Sequence, residues 1–342
     1  IGNCTRIIAV VLSVSLLWSF TWNLGINGSW SYKWAKSLGD DPLLWSTVVD
    51  ATYNGPTVGF LRLAHAKTMD KPKDYNKETM EALAKRYKES AQATNEARAN
   101  NLTDSTVVMI LSESFSDPTR VPGVELTEDP MPNIRALEGT TTSGLMLSPG
   151  IGGGTANIEH QALTGLSLAL FDNSMQSPYQ ELVPHQKTPY TFNQIWNDAY
   201  GKNGSVAFHP YFKNMYLRDS NYKKFGFSKL YSLVSDPAIE HQDHIDSSPY
   251  VSDAASYQNV LDSINDNDHA QFIQLVTMQN HAPYNDFYAD NQFKEADVSQ
   301  LSDEEKQSID NYAKGISLTD QETADFLNQL NAVDKPVTVI FY

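Results

Sequence analysis

One cysteine, Cys4, stands in a chain of 342 residues, which excludes an intramolecular disulfide and any site built from several thiolates. Basic residues are scarce too: 25 lysines and arginines face 41 aspartates and glutamates, for a formal charge of -16. That balance repels polyphosphate backbones and anionic lipid alike. Nucleic acid is therefore not an expected partner, and an anionic substrate would need a metal ion or a few placed cations. No heptad or other fixed-period repeat is present. No Gly-Lys-Ser or Gly-Lys-Thr follows the glycine run at 150–154, so that run is not a nucleotide P-loop. What is present is enough apolar material, 41% of residues, to bury a large core in one sizeable domain beside a smaller element. The first residue is Ile1 rather than Met, as expected of a fragment or a processed product.

After Arg6 the stretch IIAVVLSVSLLWSFTW carries no charge, and its serines and threonine can bond their own helix backbone. Residues 1–24 read as a membrane anchor, the last transmembrane helix of a truncated bundle, with a signal-peptide core as the alternative for so short a segment. Arg6 before it and Trp18 and Trp22 near its far end favour an N-in orientation, which puts the rest of the chain outside the cytoplasm. Residues 25–100 read as a juxtamembrane and linker region. Its first part, with LLWSTVV and YNGPTVGFLRLA, fits short amphipathic pieces at a membrane surface or ordinary core packing equally well. Its second part, KPKDYNKETMEALAKRYKESAQATNEARANN, has charge at positions throughout and reads as a solvated helix.

From about Asn101 the pattern changes. STVVMIL, GSVAF, FIQLVTM and VTVIF are rich in β-branched residues and do not alternate, as expected of strands covered on both faces. Helical stretches lie near Asn157–Thr164, Phe192–Tyr200, Ala254–Ile264 and Asp310–Asn331. The order predicts an α/β domain, residues 101–342, with a mainly parallel sheet flanked by helices. Ligands of such sheets sit at the carboxyl ends of the strands. Those positions hold Glu113, His209, and Asn280 with His281, polar groups that could bind a divalent cation or an oxyanion. Any one of them alone could be an ordinary hydrogen-bonded loop residue.

The sharpest local feature is SPGIGGGTANIEHQALTG, where glycines lead directly into Thr155 and a helix. Backbone N–H groups of such a turn and the helix N-terminus attract an anion, a suitable place for a nucleophile that attacks phosphorus. A threonine needs a metal ion or a base to act as alkoxide. The competing reading makes Thr155 a helix N-cap.

The stretches LSESFSDPTRVPGV, SPGIGGGTANIEHQALTGLSLA, FHPYFKNMYLRD, FGFSKLY and VTMQNHAPY occur in the order seen in lipoteichoic acid synthase-like phosphoglycerol transferases, a branch of the alkaline phosphatase and sulfatase superfamily, which the chain resembles from Asn101 to Tyr342. The resemblance implies transfer of glycerol phosphate from phosphatidylglycerol to a glycolipid or polyglycerolphosphate acceptor at the membrane, through a covalent phosphothreonine on Thr155. It implies that Glu113 and Thr155 contact Mn2+ or Mg2+, that His209, Arg218 and His281 surround the phosphoglycerol group, and that Asn157 and Glu159 orient the turn behind the nucleophile. An arginine fork and two imidazoles suit phosphate oxygens and proton transfer. The family pattern continues beyond VTVIFY into an Asp-His pair of metal ligands, so the resemblance implies a domain incomplete at its C-terminus, one that could be inactive in this form. A phosphoethanolamine transferase or phosphodiester hydrolase on the same fold, or a non-catalytic ectodomain, are the alternatives. The Cys- or Ser-containing signature of sulfatases with Pro and Arg is missing around Thr155. HQDHID (His241, Asp243, His244, Asp246) has the composition of a metal site but reads as a polar loop. DEEK near Asp303 reads as a solvated helix start.

Overall fold

Apolar runs without alternation become buried strands of a parallel sheet, and charged or polar segments become the helices between them. The structure, a computed structural model, describes residues 2–65, 67–150, 153–295 and 301–342. Ile151 and Gly152 of the glycine-rich turn lie outside the described residues. Five helices come first: α1 (Gly2–Asn23), α2 (Trp30–Ser37), α3 (Thr47–Asn54), α4 (Pro56–Ala64) and α5 (Lys77–Glu96). Strand β1 (Thr106–Leu111) is followed by α6 (Pro132–Glu138), α7 (Thr155–Thr164), α8 (Pro178–Glu181) and α9 (Gln194–Tyr200). After β2 (Ser205–His209) come α10 (Arg218–Lys224), β3 (Leu230–Ser232), α11 (Asp253–Asn265), β4 (Phe272–Val276), α12 (Asp303–Leu330) and β5 (Val337–Phe341). These elements form two compact units, each assembled from separate stretches of chain. One comprises Ile1–Ala99, Pro149–Thr191 and Asn214–Lys224, the other Asn100–Ser148, Phe192–Lys213 and Phe225–Tyr342.

The second unit holds the sheet, in the order β3-β2-β4-β1-β5, with every pairing parallel. Val107 of β1 lies opposite Phe272 on one side and Thr338 on the other. Every residue of β1, β2 and β4 is buried, which explains why their sequences lack an alternating pattern. One layer of the core joins Val108, Ile110, Phe208 and Leu275 to Val260 and Ile264 of α11 and Phe326 of α12. Removing such side chains from water contributes roughly 1.5–3 kcal/mol each, which makes this layer the main source of the unit's stability. Trp196 of α9 packs 5.3 Å from the Phe272 ring and donates its indole N–H to the Ser105 carbonyl at 3.1 Å. Strand β5 is at an edge and alternates between half-buried and exposed positions.

Helix α12 starts seven residues before the expected Asp310, at a capping box. Ser302 Oγ accepts from the Glu305 N–H at 3.3 Å, and a Glu305 oxygen accepts from the Ser302 N–H at 2.9 Å. Gly315 lets that helix approach closely, because a Cβ there would sit 2.4 Å from Asn280 Oδ1. Helix α6 was not expected, and its cap explains why: the Asp320 carboxylate, far along the chain, accepts from the N–H groups of Asn133 and Ile134 at 3.1 and 2.7 Å. Nor was β3 expected, since three residues, two half-buried and one buried, give no readable period.

In the first unit, α1 has no buried residue and is long and apolar enough to cross a membrane. Helix α5 also buries nothing, as the reading of a solvated helix requires, and Asn76 caps it by accepting from the Thr79 N–H at 3.0 Å.

The second unit also buries two acids. Asp253 Oδ1 and Glu322 Oε2 are sealed from solvent with no hydrogen-bond partner among the described residues. Burial, with the Asp253 charge adding to it, holds the Glu322 carboxyl well above its ordinary value. A carboxyl raised in the folded state favours folding at low pH, and that contribution is lost as pH rises above the ordinary carboxylate range. Glu322→Gln is therefore expected to raise the melting temperature relative to wild type at about pH 8 and to change it little at about pH 4. Thermal unfolding across that range checks it, and a difference that stays constant with pH would refute the assignment.

Candidate functional site

The glycine-rich turn ends in Gly153 and Gly154, both at positive φ (138° and 85°), where a side chain would be strained. Gly154 occupies the N-cap of α7, and Thr155 is the first helical residue. Gly154 has no side chain with which to cap this helix. The N-cap reading of Thr155 therefore fails, and its hydroxyl instead stands at the positive end of a ten-residue helix. One turn further, Asn157 donates from Nδ2 to the Gln176 carbonyl at 2.8 Å. Its Oδ1 is buried with no partner among the described residues, so a hard oxygen acceptor remains unanswered two residues after Thr155.

Glu159 is fully buried on the same helix. Its carboxylate accepts from Tyr179 Oη at 2.9 Å, Tyr222 Oη at 2.5 Å, Arg218 Nε at 3.1 Å and an Arg218 terminal nitrogen at 2.8 Å. Burial works against the Arg218 charge, but the adjacent Glu159 more than compensates and holds the guanidinium above its ordinary value. Burial first, and the Glu159 charge second, push the Tyr179 hydroxyl well up. Two nitrogens of the Arg218 fork thus face a carboxylate, and the pair fixes α10 against α7. Arg218 follows two residues held in the left-handed region, Tyr216 (φ 53°) and Leu217 (φ 57°). Such strain is uncommon in non-glycine residues and concentrates at functional sites.

The second unit gathers the strand-end residues. Glu113 is buried just past β1, its N–H donating to Thr277 Oγ1 at 3.1 Å beyond the neighbouring strand β4. Ser114, at φ 55°, donates its hydroxyl to Glu113 Oε1 at 3.1 Å. His209 ends β2, buried, with Nδ1 at 3.1 Å from the Val276 carbonyl. A carbonyl only accepts, so Nδ1 carries the proton and Nε2 is the basic nitrogen of the neutral ring. His281 is exposed, with Nδ1 2.6 Å from the Ala282 carbonyl. Tyr211 links the two histidines: its N–H donates to the His209 carbonyl at 2.7 Å, and its ring stacks 6.5 Å from that of His281. Tyr250 adds a ring 5.3 Å from His281, and its hydroxyl is pushed up by burial and by the charges of Tyr211 and Glu113. Asn280 turns away and donates to Thr319 of α12 at 2.9 Å. Tyr211, Tyr250, Tyr179 and Tyr222 escaped notice in the sequence, where nothing local separates them from core tyrosines.

Glu113 in the second unit, and Thr155 and Asn157 in the first, each offer an oxygen donor, the kind that hard divalent cations take. Among the described residues one group, Glu240, His241 and Asp262, brings three donor atoms within 4.8 Å of one another. His241 Nε2 there bonds Asp262 Oδ2 at 2.7 Å, and Gln258 holds the other oxygen. The rest of HQDHID does not converge, since His244 bonds the Ser248 carbonyl and Asp246 accepts from the Ala289 N–H.

A family model described as Sulfatase matches residues 105–342. The Streptococcus pyogenes phosphoglycerol transferase GacH, solved in complex with sn-glycerol-1-phosphate, is 37% identical and has a TM-score of 0.74, covering 80% of this chain and 70% of its own. The Listeria monocytogenes lipoteichoic acid synthase LtaP, 21% identical with a TM-score of 0.54, covers 70% of this chain and 55% of its own and shares the fold. A Rhizobium meliloti (strain 1021) protein with an inferred part in cyclic beta-1,2-glucan modification is 28% identical over 340 residues. That match takes in 98% of this chain and 49% of the relative, so the chain spans about half the length of that curated protein.

Glu159→Ala leaves the buried Arg218 charge uncompensated and is expected to destabilise the protein by ~3–5 kcal/mol. Joint replacement of Glu159 and Arg218 by apolar residues of similar volume should recover part of that loss. Denaturant unfolding of both variants checks the pair, and equal losses in both would remove the ion pair from the account.

Proposed function

Because the chain belongs to the sulfatase family of the alkaline phosphatase superfamily, whose members are metal-dependent phosphotransferases or hydrolases, we propose that it is a phosphoglycerol transferase with Thr155 as nucleophile. The observation that carries the reading is the position of Thr155 at the start of α7 behind two glycines of positive φ, in a chain 37% identical to GacH. Phosphatidylglycerol is the donor. Thr155 Oγ attacks its phosphorus and forms a new O–P bond as the bond to the diacylglycerol oxygen breaks. The threonine proton ends on that leaving oxygen, and glycerol phosphate remains on Thr155. An acceptor hydroxyl then attacks the same phosphorus, gives up its proton, and restores the threonine. Glu113 and Thr155 would hold manganese or magnesium, which when bound would supply positive charge to the threonine oxygen and the phosphoryl group.

His209, Arg218 and His281 take the phosphoglycerol group in this reading. The buried His209 presents Nε2 as a fixed acceptor because Nδ1 is tied to Val276. Asn157 and Glu159 hold the turn, Glu159 through the Arg218 pair. Helix α1 anchors the protein in the cell membrane, and the remainder lies outside the cytoplasm. The acceptor is a glycolipid or a polyglycerolphosphate chain. The relative with an inferred part in glucan modification favours a second reading, the same transfer onto a glucan hydroxyl.

Incubation with phosphatidylglycerol and manganese, followed by mass spectrometry, is expected to find glycerol phosphate on Thr155 and none in Thr155→Ala. Turnover undiminished in Thr155→Ala would sink the mechanism. An adduct formed from phosphatidylethanolamine and not from phosphatidylglycerol would move the donor to that lipid. Glu113→Ala is expected to weaken manganese binding by calorimetry, a readout independent of turnover, and unchanged affinity would take Glu113 out of the metal site.

A further inference from the structure

Helices α3 and α4 turn Asp50 and Arg62 inward, and α2, α3 and α4 turn aromatic rings outward. Arg62 is buried, its guanidinium bonding both Asp50 oxygens at 3.0 and 3.1 Å and Asp40 as well. Asp50 also accepts from the Leu43 N–H and from Asn54, each at 2.9 Å. Ser31 and Ser46 are buried with them. The opposite surface carries Trp30, Trp34, Leu38, Val48, Tyr53 and Phe60, exposed by 47% at Trp30 and up to 78% at Tyr53. Trp30, Trp34 and Leu38 follow one another at four-residue steps, as do Pro56, Phe60 and Ala64, so each set forms a stripe along one helical face.

This is the reverse of the order that water imposes. In water a short helical module buries its rings and leaves its arginine outside. In a bilayer, ionised side chains face inward and pair with one another, while tryptophan and tyrosine collect at the interface. The outward rings continue directly from α1: Phe20 meets Trp30 and Trp34 edge-on at 5.7 and 5.3 Å, and Trp18 stacks on Trp22 at 5.4 Å. Lys33 and Lys36 are exposed on α2 and offer cations to lipid phosphates.

We infer that α2–α4 are immersed in the headgroup and upper acyl region of the bilayer, a collar around the end of α1. The occupant of the exposed face is lipid. This rests on the reading of α1 as a membrane anchor and goes beyond it. The collar also bonds to the stretch of chain that follows Thr155. Trp45 accepts from the Tyr216 N–H at 3.0 Å, Leu44 accepts from Gln180, Thr68 accepts from the Asp172 N–H at 2.8 Å, and Lys67 pairs with Asp172 at 2.7 Å. Seating the collar in lipid therefore moors the nucleophile-bearing segment at the surface where phospholipid headgroups are presented, so a donor lipid need not leave the bilayer to react.

The test uses a Cys4→Ser background with single nitroxide labels, the protein reconstituted in vesicles of phosphatidylcholine and phosphatidylglycerol. Labels at Leu38→Cys, Val48→Cys and Phe60→Cys are compared with Leu12→Cys in α1 and Tyr87→Cys on the solvated α5. The expected result is a severalfold higher ratio of oxygen to nickel-chelate collisions at 38, 48 and 60 than at 87. A lipid signal at 12 with water-like values at 38, 48 and 60 would overturn the collar and keep the anchor. Water-like values at all four would overturn both. Labels at 38, 48 and 60 shielded from both reagents would mean that protein covers this face, and would also overturn the inference.

Discussion

A carboxylate and a guanidinium sealed from water govern the unit that carries Thr155. Glu159 is fully buried and would be ruinous alone, since an unpaired ion in a dry interior loses its hydration without recompense. Arg218 and the hydroxyls of Tyr179 and Tyr222 satisfy it, and in doing so they bind α10 and α8 to α7. The start of α7, with Thr155 at its first position, is oriented by that arrangement. A buried pair of this kind contributes little net stability beside an apolar substitute, but it tolerates few alternative geometries. Its value lies in precision at the turn.

The same device recurs in α2–α4, where Arg62 pairs with Asp40 and Asp50. There it leaves the exposed lysines Lys33 and Lys36 beside an outer surface rich in aromatic and aliphatic side chains. Charges that satisfy one another inside leave the exterior free to match a hydrophobic environment.

In the sheet unit the governing constraint is different. A parallel sheet covered on both faces leaves little room for polar side chains along its strands, and apart from the buried Gln274 of β4 the polar groups of the candidate site appear where the strands end. Glu113 and His209 stand at such ends, and His281 follows a few residues after β4. Positive φ values at Ser114, after Glu113, and at Tyr216 and Leu217, before Arg218, fall beside two residues of the candidate site. Backbone strain persists only where surrounding contacts enforce it. The fold that provides those contacts is shared with solved phosphoglycerol transferases and lipoteichoic acid synthases, which agrees with the family resemblance of the motif order.

Much of this was legible from the residues alone. Continuous β-branched runs marked β1, β2 and β4, because full burial removes the need for alternation, and β5 as well, although it lies half-exposed at an edge; DEEK near Asp303 marked the start of α12. The glycines before Thr155 announced a turn that only such residues can make. What the chain could not reveal locally was decided by contacts distant in sequence. Helix α6 is capped by Asp320, β3 exists only by pairing with β2, and Arg218 meets a carboxylate 59 residues away. The inward turn of Arg62 and the outward turn of Trp34 and Phe60 belong to the same class. Periodicity identifies the faces of a helix, but which face meets protein is fixed only when the neighbouring helices are in place.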